Sequence, residues 1–167
     1  MIPPMRVDWF PLWLSLRVAA IATILSFPLG LAAGWWLAKK RFRGWELVEA
    51  AISLPLYLPS TVLGYYLLVL LANQGALGRM YESVAGRPLL FTWQAAVVAA
   101  MIHVVPLLFR SCRAALEETD PDCERAARSF GASQWRLWWF VTLPQARTPL
   151  LAAAVLAFAR ALGEFGV

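Results

Sequence analysis

Residues Asp120–Pro144 read DPDCERAARSFGASQWRLWWFVTLP, the one long polar insertion between strongly apolar segments. The segments on either side read as membrane, so this stretch is a short helical hairpin lying outside a bilayer. Its first half has a defined start and stop. Asp120 suits the N-cap, Pro121 suits the first helical position, and Gly131 suits a left-handed C-terminal cap. Between these limits Cys123, Ala126, Ala127 and Phe130 fall at i, i+3, i+4 and i+7, an apolar stripe of small residues ending in a large one. Asp122, Glu124, Arg125, Arg128 and Ser129 take the other, polar side. Isolated helices need about 12–15 residues to persist in water, so a helix this short requires something to pack against its stripe. Two surfaces qualify: the membrane part of the same chain, or a groove on another protein.

Composition agrees with the membrane reading. The 167 residues are 60% hydrophobic and 15% charged, with a mean hydropathy of +0.61. The net charge of +5 comes from basic residues that flank apolar spans, where the positive-inside rule accounts for them without nucleic acid. Cys112 and Cys123 have no CxxC or Cys/His spacing and read as reduced thiols; the sole histidine, His103, sits in an apolar run as a hydrogen-bonded or pore-side residue. No metal or cofactor site is expected. The first apolar run exceeds the 7–15 residues of a signal-peptide core and reads as a retained helix.

The first span runs from about Phe10 to Ala38, with Gly30 and Gly34 in GxxxG spacing for close helix approach and Trp35 and Trp36 at an interfacial belt. Lys39–Gly44, KKRFRG, follows as a basic anchor. The second apolar stretch, uncharged from Ala50 to Gly78, contains Pro55, Pro59 and Gly64, so its helix should break or kink between Pro55 and Pro59. Broken backbone at membrane depth must be satisfied by protein or by a water-filled cavity. Ser60 and Thr61 are therefore candidate pathway residues, or simply partners for the broken helix. Asn73–Thr92 reads as a turn-rich outer loop with a short amphipathic piece near Leu77–Val84. The third span starts at Trp93, bends at Pro106 and stays helical to Leu116. Lys39, Lys40, Arg41 and Arg43 lie at one end of the first span. Arg110, Arg113, Arg125, Arg128, Arg136 and Arg147 surround the hairpin. Two crossings separate the groups, which places both in the cytoplasm and the N-terminus outside.

The fourth apolar stretch starts near Thr148 and holds Arg160 and Glu164, four apart on one helix face. A charge at the centre of a spanning helix costs about 2.5–3.5 kcal/mol on insertion scales, so both should face a partner or a hydrated path. The apolar run ends at ALGEFGV without a charged flank, and a further C-terminal membrane part is expected.

The hairpin resembles the EAA loop of ABC importer permeases: Ala126 and Ala127, then Gly131, then Val141, Thr142, Leu143 and Pro144 at the family's long spacing. One position departs, with Arg125 where the family's acid stands and Glu124 one residue earlier on the same polar side. LSLRVAAIATILSFPLGLAAGWWLAKKRFRG, LPLYLPSTVLGYYLL and FARALGEFG look most like the molybdate permease branch, with sulfate permeases similar in layout. The resemblance implies an all-α, polytopic helical bundle of the type I importer kind, one domain over 1–167 with about four spans. Its cytoplasmic coupling loop covers 117–146. It also implies a homodimer in a prokaryotic inner membrane, a dimer of cytoplasmic ATP-binding subunits, and an extracytoplasmic oxyanion-binding protein. The coupling contacts would be Glu124, Arg125, Ala126, Ala127, Phe130, Gly131, Leu143 and Pro144. The translocation path would draw on Ser60, Thr61, Arg160 and Glu164.

The chain carries no GxxxxGK[ST] phosphate loop, so the ATPase must be a separate subunit. A membrane enzyme would need a clustered nucleophile and base, and the spans offer one histidine and no paired acids. A scaffold that only recruits a soluble partner would keep the hairpin but move no substrate.

Overall fold

The computed structural model describes residues 9–39, 43–72 and 75–165, and these are helical throughout apart from turns. Lys40 and Arg41 of the expected basic anchor, and the side chain of Ser60, lie outside what it describes. Helix α1 spans Phe10–Lys39, α2 Trp45–Tyr57, α3 Ser60–Leu71, α4 Ala76–Ala85 and α5 Trp93–Glu117. The hairpin supplies α6, Pro121–Ser129, and α7, Gln134–Leu137. The latter runs through a π turn at Trp138–Thr142 into α8, Leu143–Phe165. Three helices are long and apolar enough to cross a membrane: Phe10–Ala38, Trp93–Glu117 and Gln134–Glu164. The pair α2–α3 adds a fourth, broken crossing or a re-entrant loop, bent by 103°.

Helices α1, α5 and α8 form the core. Arg17, near the start of α1, stacks 5.0 Å over Trp93 at the start of α5, while Gly30 and Gly34 meet Leu108 and Arg113 further along, so α1 and α5 run parallel. Their approach is possible because α1 presents glycine. A Cβ on Gly30 would lie 2.6 Å from that of Leu108, and one on Gly34 would lie 2.9 Å from the backbone nitrogen of Arg113. Helix α8 returns antiparallel with Ala153, Ala157 and Ala161 turned inward, one small residue per turn. These pack on Ala19 of α1 and on Val104 and Leu108 of α5. In a lipid solvent, apolar transfer drives helices together weakly, so close approach of small residues carries the association.

The parallel course of α1 and α5 requires a return crossing between them, which α2–α3 provides. Its break was expected across Pro55–Pro59, and the structure narrows it. Pro55 sits inside α2, whereas Leu58, the residue before Pro59, is extended at φ −75°, ψ 138°. The ring of a proline disfavours helical backbone in the residue preceding it, so the chain turns there. Helix α3 then buries Leu63, Leu67 and Leu71 against Leu89 and the outer half of α5. Helix α2 is held differently, by polar clamps to α5. Arg113 pairs with Glu49 at 2.6 Å and with Glu117 at 2.9 Å, and its guanidinium lies 4.7 Å over Trp45. Arg110 donates to the Tyr57 hydroxyl at 2.9 Å.

The fourth apolar stretch corrects one expectation. Its helix begins at Gln134, well before Thr148, because the aromatic run Trp138–Phe140 extends the apolar surface through the second half of the polar insertion. Trp35 of α1 meets Trp138 edge-on at 5.4 Å, and Trp135 meets Trp139 at 5.8 Å, so the tryptophans from both helices gather at one end of the bundle.

Candidate functional site

Helix α6 is short and sharply bounded. The Asp120 carboxylate accepts from the Asp122 backbone N–H at 2.8 Å, capping the start. At the other end Gly131 takes φ +77°; its N–H donates to the Arg128 carbonyl at 2.9 Å and the Ala132 N–H to Ala127 at 3.1 Å. Those two bonds make a Schellman cap, which glycine's left-handed backbone permits. The second helix starts with a side-chain cap too, Ser133 accepting from the Arg136 N–H at 3.4 Å.

Polar bonds, not a buried apolar face, fasten α6 to the bundle. The Thr142 hydroxyl donates to Glu124 Oε1 at 2.7 Å, and the Asp120 N–H donates to Gln145 Oε1 at 3.1 Å. Arg128 adds a contact to Glu124 at 3.6 Å. Thr142 is itself buried and closes the π turn, in which the Leu143 N–H reaches the Trp138 carbonyl. Pro144 has no donor, and its ring crowds the carbonyl four residues back. Widening the turn just before it relieves that crowding and aims Thr142 at α6.

This arrangement separates two residues that the sequence places on one side. Glu124 was expected to stand beside Arg125 as an outward acidic contact, but it turns inward to Thr142. Arg125 stays outside, its side chain 74% exposed and paired only locally with Asp122. The physical reason is the buried Thr142 hydroxyl, which would lose free energy without an acceptor and finds one in Glu124.

The apolar stripe stays uncovered. No residue of α6 is buried, and Phe130 is 90% exposed. Cys123 and Ala126 instead line a shallow groove of about 610 Å³ with Phe140, Val141, Pro144 and Arg147. Leu143 turns the other way, packing on the core cluster around Cys112 and Leu116.

The second candidate region lies in the spans. Arg160 and Glu164 do meet, at 3.1 Å, and the structure adds His103 of α5, whose Nε2 lies 3.2 Å from the same Glu164 oxygen. Both contacts are ion-pair distances without hydrogen-bond alignment, leaving that buried oxygen with no hydrogen-bond partner. His103 Nδ1 lies 3.1 Å from the Ala99 carbonyl. Sequence reasoning missed His103 as a member because nothing in the local pattern of α5 reports what α8 brings opposite it. Thr61 lines another feature, an open groove of about 580 Å³ between α3 and the start of α5. Among the described residues no three His, Cys, Asp or Glu side chains gather as metal ligands would.

A core of close-packed spans with a broken crossing beside it, and a capped helix outside, is the frame of a transport-system membrane component. Residues 26–167 match the family described as binding-protein-dependent transport system inner membrane component, and the chain belongs to it. Among curated proteins it is 40% identical over 159 residues to the molybdenum transport system permease protein ModB of Escherichia coli, covering 95% of this chain and 69% of that protein. The Haemophilus influenzae protein of the same name is 42% identical over 153 residues, covering 92% and 67%. A probable sulfate transport system permease protein of Chlorokybus atmophyticus is 36% identical over 152 residues, covering 91% and 53%. In three dimensions the chain is similar to one from the inward-facing MetNI methionine ABC transporter, with a TM-score of 0.74 and 22% identity over 98% of this chain and 74% of that one. The fold is therefore that of a type I ABC transporter permease.

Proposed function

We propose that this chain is the permease subunit of an ATP-driven importer carrying molybdate or tungstate inward across a prokaryotic inner membrane. The observation that carries the reading is 40% identity, over nearly the whole chain, to a molybdenum transport permease. A separate pair of ATP-binding subunits would supply the energy, an extracytoplasmic binding protein would deliver the anion, and two copies of the permease would enclose the path.

Coupling falls to residues 120–144. The exposed stripe of Cys123, Ala126 and Phe130, with Ala127 partly covered, fits a groove on the ATP-binding subunit, and the caps at Asp120 and Gly131 make α6 a rigid piece. The bonds from Thr142 and Gln145 would transmit a push on α6 directly to α8. Movement of α8 against α1 and α5 would then alternate access. Along the path, Ser60 and Thr61 at the broken crossing and the Arg160–Glu164 pair are the candidate residues, with the Arg160 guanidinium the one whose charge suits an anion, since a bilayer interior offers none of these polar contacts.

The sulfate permeases at 36% identity supply the competing substrate. In a reconstituted complex with its ATP-binding subunits and binding protein, molybdate is expected to stimulate ATP hydrolysis and sulfate to leave it at the basal rate. Stimulation by sulfate alone would overturn the choice of anion, and stimulation by neither would overturn import of oxyanions.

A further inference from the structure

Helix α2 keeps its place without a packed apolar seam. Ser53 is its only buried residue, and the Ser53 hydroxyl has no hydrogen-bond partner. Leu47, Leu54 and Tyr57 stay exposed within this chain. Helix α3 cannot hold α2 in register either, because the chain bends by 103° at the break between them. Directed polar contacts to α5 hold it instead, and most of them converge on one residue.

Arg113 is where three helices meet. Its backbone is the surface on which α1 closes, since a Cβ on Gly34 would lie 2.9 Å from its nitrogen. Its side chain, 12% exposed, reaches α2: Nη1 donates to Glu49 Oε2 at 2.6 Å. The guanidinium also lies 4.7 Å over Trp45, one turn earlier on the same helix. Nε donates to Glu117 Oε1 at 2.9 Å, one turn further along α5, which orients the group from its own helix. A guanidinium carries five donors in a planar fork and a flat face for stacking, so it can serve two carboxylates and an indole at once; an ammonium cannot. At the far end of α2, Arg110 adds its bond to the Tyr57 hydroxyl at 2.9 Å, one residue before the extended Leu58. The clamp therefore ends where the crossing breaks.

From this geometry we infer that Arg113 is a positioning residue for transport: by tying α2 to α5 it makes the inner half of the broken crossing part of the α1–α5 body, a fixed wall against which α8 moves. This deepens the import reading and rests on it, since that reading puts the broken crossing beside the path and makes α8 the moving part. Coupling of this kind needs an unbroken chain of contacts, and Gly34, Arg113, Glu49 and Trp45 supply one from α1 through α5 to α2. With the tie cut, α2 slips on α5 and the wall gives way, so ATP is hydrolysed without a matching uptake of anion. Two other roles fit the same contacts. One is a strut needed only for folding, and the other is a latch that must open in every cycle.

Substitutions on the α2 side separate the three, assayed in the complete complex in proteoliposomes with saturating molybdate-loaded binding protein. The readout is molybdate taken up per ATP hydrolysed, with assembly checked by co-purification of the ATP-binding subunit and stability by melting temperature. Glu49→Ala cuts the tie yet leaves Arg113 paired with Glu117, so no charge is orphaned and the protein should fold. Uptake per ATP is expected to drop roughly fivefold or more while hydrolysis continues. Glu49→Asp keeps the charge within reach of the long arginine, and its ratio should return to within about twofold of the parent. Val97→Ala, buried where α1 meets α5 and remote from the clamp, lowers stability without touching the tie and should also stay within about twofold. If Glu49→Ala fails to accumulate, Glu49→Gln is read in its place with the same expectation. An unchanged ratio in Glu49→Ala would make the contact a strut, and a raised ratio or faster uptake would make it a latch; either overturns the proposal. So would a loss in Val97→Ala as large as in Glu49→Ala, or no recovery in Glu49→Asp. A parent complex that hydrolyses ATP but moves neither molybdate nor sulfate would remove the import reading itself.

Discussion

The bundle core and α6 hold their places by opposite means. Where α1, α5 and α8 meet, the contact is apolar, and the small residues Gly30, Gly34, Ala153, Ala157 and Ala161 let the helices close on Val104, Leu108 and the backbone of Arg113. Helix α6 has no fully buried side chain and is fastened by hydrogen bonds to Thr142 and Gln145, with its own apolar stripe left open beside a shallow groove. The core is thus finished within one chain, whereas α6 is fixed in orientation but keeps its apolar face open. A helix of nine residues has too few internal bonds to persist alone, so its two caps and its tethers must hold it in shape until a partner covers the stripe.

That contrast can be broken at its stronger side first. Gly34→Leu adds a side chain where even a Cβ meets the backbone of Arg113, and backbone cannot swing aside as a flexible side chain can. Overpacking commonly costs about 1–3 kcal/mol, and this site belongs at or above the top of that range. The purified permease should lose much of its thermal stability, or fail to accumulate as a folded protein. A melting temperature equal to the parent's would mean that α1 and α5 do not approach as described.

Thr142→Val is a smaller change aimed at the tether. It keeps the shape of a buried side chain and removes the hydroxyl that binds Glu124. Leaving a charged acceptor without that partner costs about 1–3 kcal/mol locally. Hydrogen exchange should quicken in α6 while α1 and α5 keep the protection of the parent. Equal acceleration throughout would show that Thr142 supports the core instead of the tether.

How much of this was legible in the sequence follows the same division. The limits of α6 were readable at Asp120, Pro121 and Gly131 because caps act over three or four residues. The close approach at Gly30 and Gly34 was readable because GxxxG spacing states which face is thin. The break before Pro59 was located to within one turn, since proline acts on its immediate neighbour. Contacts that join distant segments were not readable: Glu124 to Thr142, Glu49 to Arg113, and His103 to Glu164 each depend on where another helix arrives. The start of the fourth span was not readable either: the apolar stretch was placed near Thr148, whereas the helix runs on from Gln134 through the π turn at Trp138–Thr142.

The central claim is that the open stripe of α6 is the surface an ATP-binding subunit takes hold of, and Ala127→Trp tests it most directly. Ala127 is only partly covered within this chain, so the permease should still fold. Its melting temperature is measured alongside as the control that separates a docking effect from a folding one. At a packed interface the same bulk should weaken association by about 1–3 kcal/mol, roughly a tenfold or greater rise in the dissociation constant. The measurement is the affinity of the purified permease for its ATP-binding subunit, variant against parent. A fall of that size with stability preserved is the result the account predicts, and an unchanged affinity would contradict it.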